Sequence, residues 1–143
     1  MIVPIFIGIY LTIQPFNPPQ SEKLIPVEGQ AQIKKGDDFD ISKKKLKSPL
    51  SFSEIVAISG KVKANTSNAK VSIKDMSRER INTSTNKDGK FIFHLRPGIY
   101  TFFILKKDIA YLNKFDGYGY FKSTKVNKPV MNLILIDDEK SLN

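Results

Sequence analysis

From Glu54 to Asp137 the chain renews one pattern about every ten residues: a short apolar run whose buried candidates alternate with polar side chains. Alternation with a period of two is the signature of strands with one face in a core, and no stretch here keeps a helical period. EIVAISGKVKA sets Val56, Ile58 and Val62 at alternate positions; AKVSIKDM repeats this with Val71, Ile73 and, more loosely, Met76. RERINTSTN is polar and threonine-rich, as an outer or edge strand would be. KFIFHL places Phe91, Phe93 and Leu95 on one face, with Ile92 and His94 on the other. GIYTFFILKK is apolar on both faces from Tyr100 to Leu105 and predicts a central strand. PVMNLILID sets Met131, Leu133 and Leu135 against Asn132, Ile134 and Ile136. Such a series predicts an all-β fold, a single seven-stranded Greek-key β-sandwich over residues 54–138, with Phe102 and Ile104 joining these faces in its core.

Two turn signals bracket the KFIFHL strand. Asn86-Lys87-Asp88-Gly89 has the composition of a type I turn ending in a glycine at positive φ, braced by the Asn and Asp side chains. Pro97-Gly98 fits the two central positions of a type II turn, so the stretch reads as a hairpin and Gly98→Val should strain it. His94, the single histidine, is then a surface or half-buried strand residue. Neither a carboxylate to orient it nor a nucleophile stands beside it in sequence, and there is no second histidine for a metal pair.

Upstream the texture differs. Residues 1–21 carry no charged side chain, and residues 1–16 read as an apolar signal-like or anchoring segment, with a strand or helix packed on the domain as the alternative. Against export stand the missing basic residue before the apolar run and the missing small-x-small site after it. Residues 17–53 read as a charged, proline-containing linker, with VEGQAQI and FDIS as an accessory strand or hairpin at most. Residues 139–143 form a polar tail. The expected location is exported, periplasmic or membrane-associated, with the cytoplasm as alternative. The net charge of +9 is spread along the chain, and Lys43, Lys44, Lys45 and Lys47 form its one run. The absence of cysteine excludes disulfides, thiolate metal sites and cysteine nucleophiles.

Four motifs stand in a recognisable order: S-G-K-V at 59–62, A-K-V-S-I at 69–73, T-x-x-x-x-D-G-K-F-x-F at 83–93, and L-x-P-G-x-Y at 95–100. Over about residues 55–137 this resembles the carboxypeptidase regulatory-like domain, which implies a transthyretin-like (prealbumin-like) sandwich serving as an accessory module. Thr66-Ser67-Asn68-Ala69 departs from the family's usual entry to its second strand. The related adhesin modules with an isopeptide cross-link imply an acidic residue in the strand after Tyr100, and TFFILKK has none. The transthyretin-like hydroxyisourate hydrolases imply several histidines and a different C-terminus, so that enzyme is a poor match.

The remaining candidate is AYLNKFDGYGYF, residues 110–121, which holds Tyr111, Phe115, Tyr118 and Tyr120 beside Gly117 and Gly119. Aromatic rings on a loop offer flat faces to a sugar or a protein, or else fill the end of the sandwich. Asn86, Asp88 and Asp116 lack the dense oxygen-ligand loop of a calcium site, so no metal or cofactor is expected. The leading expectation is a non-catalytic module with a structural, adhesive or partner-binding role, meeting an envelope protein or polysaccharide and tethered through residues 1–16. A carbohydrate-binding module using the tyrosines is the first alternative. A basic binder of anionic polymer or nucleic acid is the second, with nucleic acid the weaker partner.

Overall fold

The computed structural model describes residues 23–35, 46–64 and 68–138, and within them the protein is all-β. Ten strands form two sheets among the described residues, eight of them within residues 54–138 where seven were expected: β1 (Ile25–Lys35), β2 (Leu46–Pro49), β3 (Glu54–Ser59), β4 (Lys70–Ser72), β5 (Arg80–Ser84), β6 (Lys90–Leu95), β7 (Gly98–Lys106), β8 (Ile109–Tyr111), β9 (Thr124–Val126) and β10 (Val130–Asp137). Among the described residues no helix is long and apolar enough to cross a membrane.

The first sheet is built on β1. This strand lies inside the expected linker, yet it pairs in parallel with β10 and antiparallel with β6 and β2. The linker expectation is therefore corrected for residues 25–35 and 46–49, while VEGQAQI is the strand that the sequence allowed; FDIS lies outside the described residues. The physical reason is visible in IPVEGQAQIKK: Val27 and Ala31 are fully buried, but they are small and stand among Pro, Glu, Gln and Lys. Between them Gly29 has no side chain because there is no room for one. A Cβ there would lie 2.2 Å from the Leu133 carbonyl oxygen and 2.5 Å from Cζ of Phe91.

In the second sheet the order is β4-β8-β7-β3-β5, with β9 also paired to β7. As expected, β7 is central and buried from Tyr100 to Leu105, and the polar β5 lies at an edge. Directly paired residues share a face, so Ile55 and Ile104, and Ala57 and Phe102, point the same way. That face meets the first sheet, where Phe93 packs 5.5 Å from Phe102. The opposite face carries Phe103, which meets Phe121 edge-on at 5.0 Å. Phe121 donates its backbone N–H to the Val62 carbonyl at 2.9 Å, so the segment after β3 and the 112–123 loop together cover the outside of β7. Both faces of this strand are thus dry, which is why its sequence shows no alternation.

The first turn signal behaves as read. Gly89 takes φ +75°, and Asn86 Oδ1 accepts from the amides of Asp88 at 2.9 Å and Lys90 at 3.0 Å. Pro97-Gly98 does not. Gly98 has no positive φ and begins β7 directly, while Tyr100 Oη donates to the Arg96 carbonyl at 2.9 Å across the bend. Nor do β6 and β7 form a hairpin, since β6 pairs with β1 and β7 belongs to the other sheet. The bend carries the chain between sheets, so it need not reverse direction within one ladder, and a left-handed glycine is not required.

In β10 the alternation is interrupted. Val27 pairs with Val130 but Gly29 with Leu133, so β10 spends three residues where β1 spends two. Asn132, at φ +64°, lies within this bulge. The extra residue turns Met131 out to solvent, where a strict alternation had placed it in the core with Leu133 and Leu135.

Candidate functional site

The 112–123 loop fills a gap along one edge of β7, between the β9 pairing at Gly98–Tyr100 and the β8 pairing at Ile104–Lys106. It is held by short backbone links. Ala64 N–H donates to the Gly119 carbonyl at 2.9 Å, and Lys122 N–H donates to the Lys114 carbonyl at 2.9 Å. At its tip Asp116 Oδ1 accepts from the amides of Tyr118 at 2.6 Å and Tyr120 at 3.2 Å. Gly117 and Gly119 adopt φ +85° and +94°, the left-handed region that glycine enters at little steric cost.

The four aromatic residues singled out from sequence go to four different surroundings. Tyr111 is buried on β8, which removes it from any surface, and its hydroxyl donates to Asp138 Oδ1. Phe115 is 41% exposed and stacks on Phe121 at 5.4 Å between ring centroids. Tyr118 stands at the tip, 85% exposed. Tyr120 lies beneath Lys61, whose Nζ is 6.0 Å from the ring centroid. A single tyrosine platform is not what the fold makes of them. His94 is exposed on β6, opposite Pro26. Asn86 and Asp116 each brace their own turn, and Asp88 stands in the first of these. Among the described residues no group of three or more His, Cys, Asp or Glu side chains could hold a metal.

What the loop does create is a cleft of about 450 Å³ between itself and β10, lined from both sheets. Phe102, Leu112, Leu133 and Leu135 form its apolar floor, and the exposed Phe115 is a wall. Lys114 and Lys122 complete the lining with two cationic side chains. Lys114 Nζ donates to the Ile134 carbonyl at 2.9 Å. Leu112 and Lys114 also line a second, smaller cavity of about 120 Å³ with Lys34, Lys47, Asn113 and Asp138. The two cavities therefore follow each other along β10, one apolar and one cationic.

Asp138 is fixed at the cationic end by Tyr111 and by Asn113 Nδ2 at 2.9 Å. Burial works to raise its carboxyl, but the hydrogen bonds from Tyr111 and Asn113, with the charge of Lys34, outweigh it and hold the group below the usual carboxylate range. Burial, the same hydrogen bond and the charges of Asp138 and Asp137 push the Tyr111 phenol well above its ordinary value. Next to this pair the buried Asp137 forms an ion pair with Lys106 at 2.8 Å, so the end of β10 is locked to β7 and β8. Sequence reasoning missed the cleft because Phe102, Leu133 and Leu135 read there as core; Phe102 and Leu135 are indeed buried and Leu133 is half-buried against them, so the same side chains serve the core and line the cleft.

No family model and no curated protein matches the chain. Among solved structures it is similar to a Pseudomonas aeruginosa protein described as a candidate carbohydrate-binding protein, at 15% identity and a TM-score of 0.49 over 82% of this chain and 90% of that one. A likeness so distant carries no argument about a ligand.

Proposed function

We propose that the chain is a non-catalytic β-sandwich accessory module that binds a partner in the cleft between β10 and the 112–123 loop. The observation that carries this is the combination of an apolar floor with the exposed Phe115 wall, a concave surface of the size and lining that ligand sites share. The non-catalytic side rests on the groups around it: the lysines Lys114 and Lys122, and in the neighbouring cavity a carboxylate, Asp138, whose two oxygens already accept hydrogen bonds. Kinship with the carboxypeptidase regulatory-like domain belongs to the same proposal, supported by the order of the four motifs. So does export or membrane tethering through residues 1–16, which lie outside the described residues; fractionation of a C-terminally tagged chain with intact-mass readout tests it. A full-length cytosolic product contradicts it.

The cleft is tested by applying the full-length chain to immobilised envelope polysaccharides and to displayed linear peptides, beside Phe115→Ala and Tyr118→Ala. The proposal expects retention on at least one class, lost with Phe115→Ala and kept with Tyr118→Ala. Retention that ignores Phe115 contradicts it. The second reading, carbohydrate binding through the loop tip, is favoured by the exposure of Tyr118 and expects the reverse pattern on polysaccharide.

A further inference from the structure

We infer that the cleft takes an extended acidic peptide, added as a further strand along β10, with an apolar side chain at the Phe102–Phe115 end and carboxylates at the Lys34–Lys47–Lys114 end. This rests on the partner-binding reading of the same cleft and narrows it to one ligand chemistry.

Three observations lead there. First, among the described residues β10 is an edge strand, paired to β1 along one side. Such an edge displays backbone groups at the spacing of another peptide backbone, about 3.3 Å per residue, which neither a sugar nor a lipid chain matches. Second, the edge is closed in part by a substitute. The Ile134 carbonyl is served by the flexible Lys114 ammonium, which a peptide N–H can replace, releasing the charge toward an incoming carboxylate. Third, Lys34 and Lys47 are direct cross-strand partners between β1 and β2, and with Lys114 they line one small cavity. Like charges set opposite each other repel, and an anion between them relieves the repulsion. Asp138, the carboxylate lining that cavity, accepts from Tyr111 and Asn113 and sets one negative charge against the three lysines.

The test is fluorescence anisotropy of the full-length chain with a fluorescein-labelled octapeptide of alternating valine and threonine, one phenylalanine at one end and two glutamates at the other. Its companions carry glutamine for glutamate, or backbone N-methyl groups on one or the other alternate set of residues. Binding should weaken about tenfold when glutamine replaces glutamate, or in the Lys34→Gln, Lys47→Gln double variant, and return with arginine at both positions. One N-methylated set should abolish binding and the other should not, because alternate amides face the edge. Thermal melts of the lysine variants that match the parent exclude a folding defect. Equal binding by both methylated forms, or indifference to charge, overturns the inference. So does absence of binding by the parent peptide; in that case Phe115-dependent retention of a polysaccharide leaves the cleft as the binding site, whereas its absence removes both.

Discussion

Gly29→Ala puts the first sheet to the test with one methyl group. The new Cβ would stand 2.2 Å from the Leu133 carbonyl oxygen, 2.5 Å from Cζ of Phe91 and 3.0 Å from the Leu133 Cβ. A backbone oxygen of a paired strand is not a flexible neighbour, and ordinary contact needs more than another ångström. Either β1 and β10 separate at the pairs on each side of the bulge, or Phe91 leaves its place against Phe93, 5.8 Å away. Overpacking a well-filled site costs about 1–3 kcal/mol, and a backbone obstacle puts this one at the upper end, about 3 kcal/mol. For a domain of this size that lowers the melting temperature by about 12 °C or more. Urea unfolding of the full-length protein, followed by circular dichroism at constant m, measures it. A loss under about 0.5 kcal/mol, the scale of a substitution in an exposed spacer, would refute the placement of β1.

Other consequences are as direct. Phe121→Ala removes a fully buried ring from under the loop and should cost about 3–5 kcal/mol in the same assay. Gly89→Ala should be costly, since it combines φ +75° with a Cβ 2.4 Å from the Ala31 carbonyl, whereas at Gly98 the nearest atom is 3.6 Å away; the two turns should differ by at least about 1 kcal/mol. Asp138 has its folded pKa depressed, so its contribution is present above the unfolded carboxylate range and is lost as pH falls through the folded value. Tyr111 is raised, so stability should decline as pH climbs past about 10, where the unfolded phenol ionises first. Tyr111→Phe should flatten the alkaline arm, and Asp138→Asn the acid arm, of a denaturation profile against pH.

How much of this was legible depended on where each residue's partner lay. KFIFHL spells its own burial, because Phe91, Phe93 and Leu95 are large and strictly alternate, and the structure buries those three and exposes the residues between. TFFIL announces a strand covered on both faces, although it could not say that Phe121 would supply the second cover. In β1 the signal is faint for a physical reason: where two strands approach closest, the sequence shows a glycine, and Val27 and Ala31 bury little area each. The cleft is harder still. Its floor joins Phe102 and Leu135, which are core in their own strands, to the half-buried Leu133, and an opening between sheets is a relation among strands that no strand encodes. Tyr111 differs from Tyr118 in having a carboxylate 27 residues downstream to receive its hydroxyl, and local composition is silent on that.

Docking of a partner between β10 and the 112–123 loop is tested by an amide chemical-shift map of the full-length protein titrated with whichever polysaccharide or peptide it retains. Saturable shifts should concentrate at Leu112 to Phe115, Lys122 to Thr124 and Leu133 to Ile136, with β5 and the outer face of β6 unmoved. Shifts confined to Tyr118 and its neighbours at the loop tip, or gathered around Ile92 and His94, would contradict it.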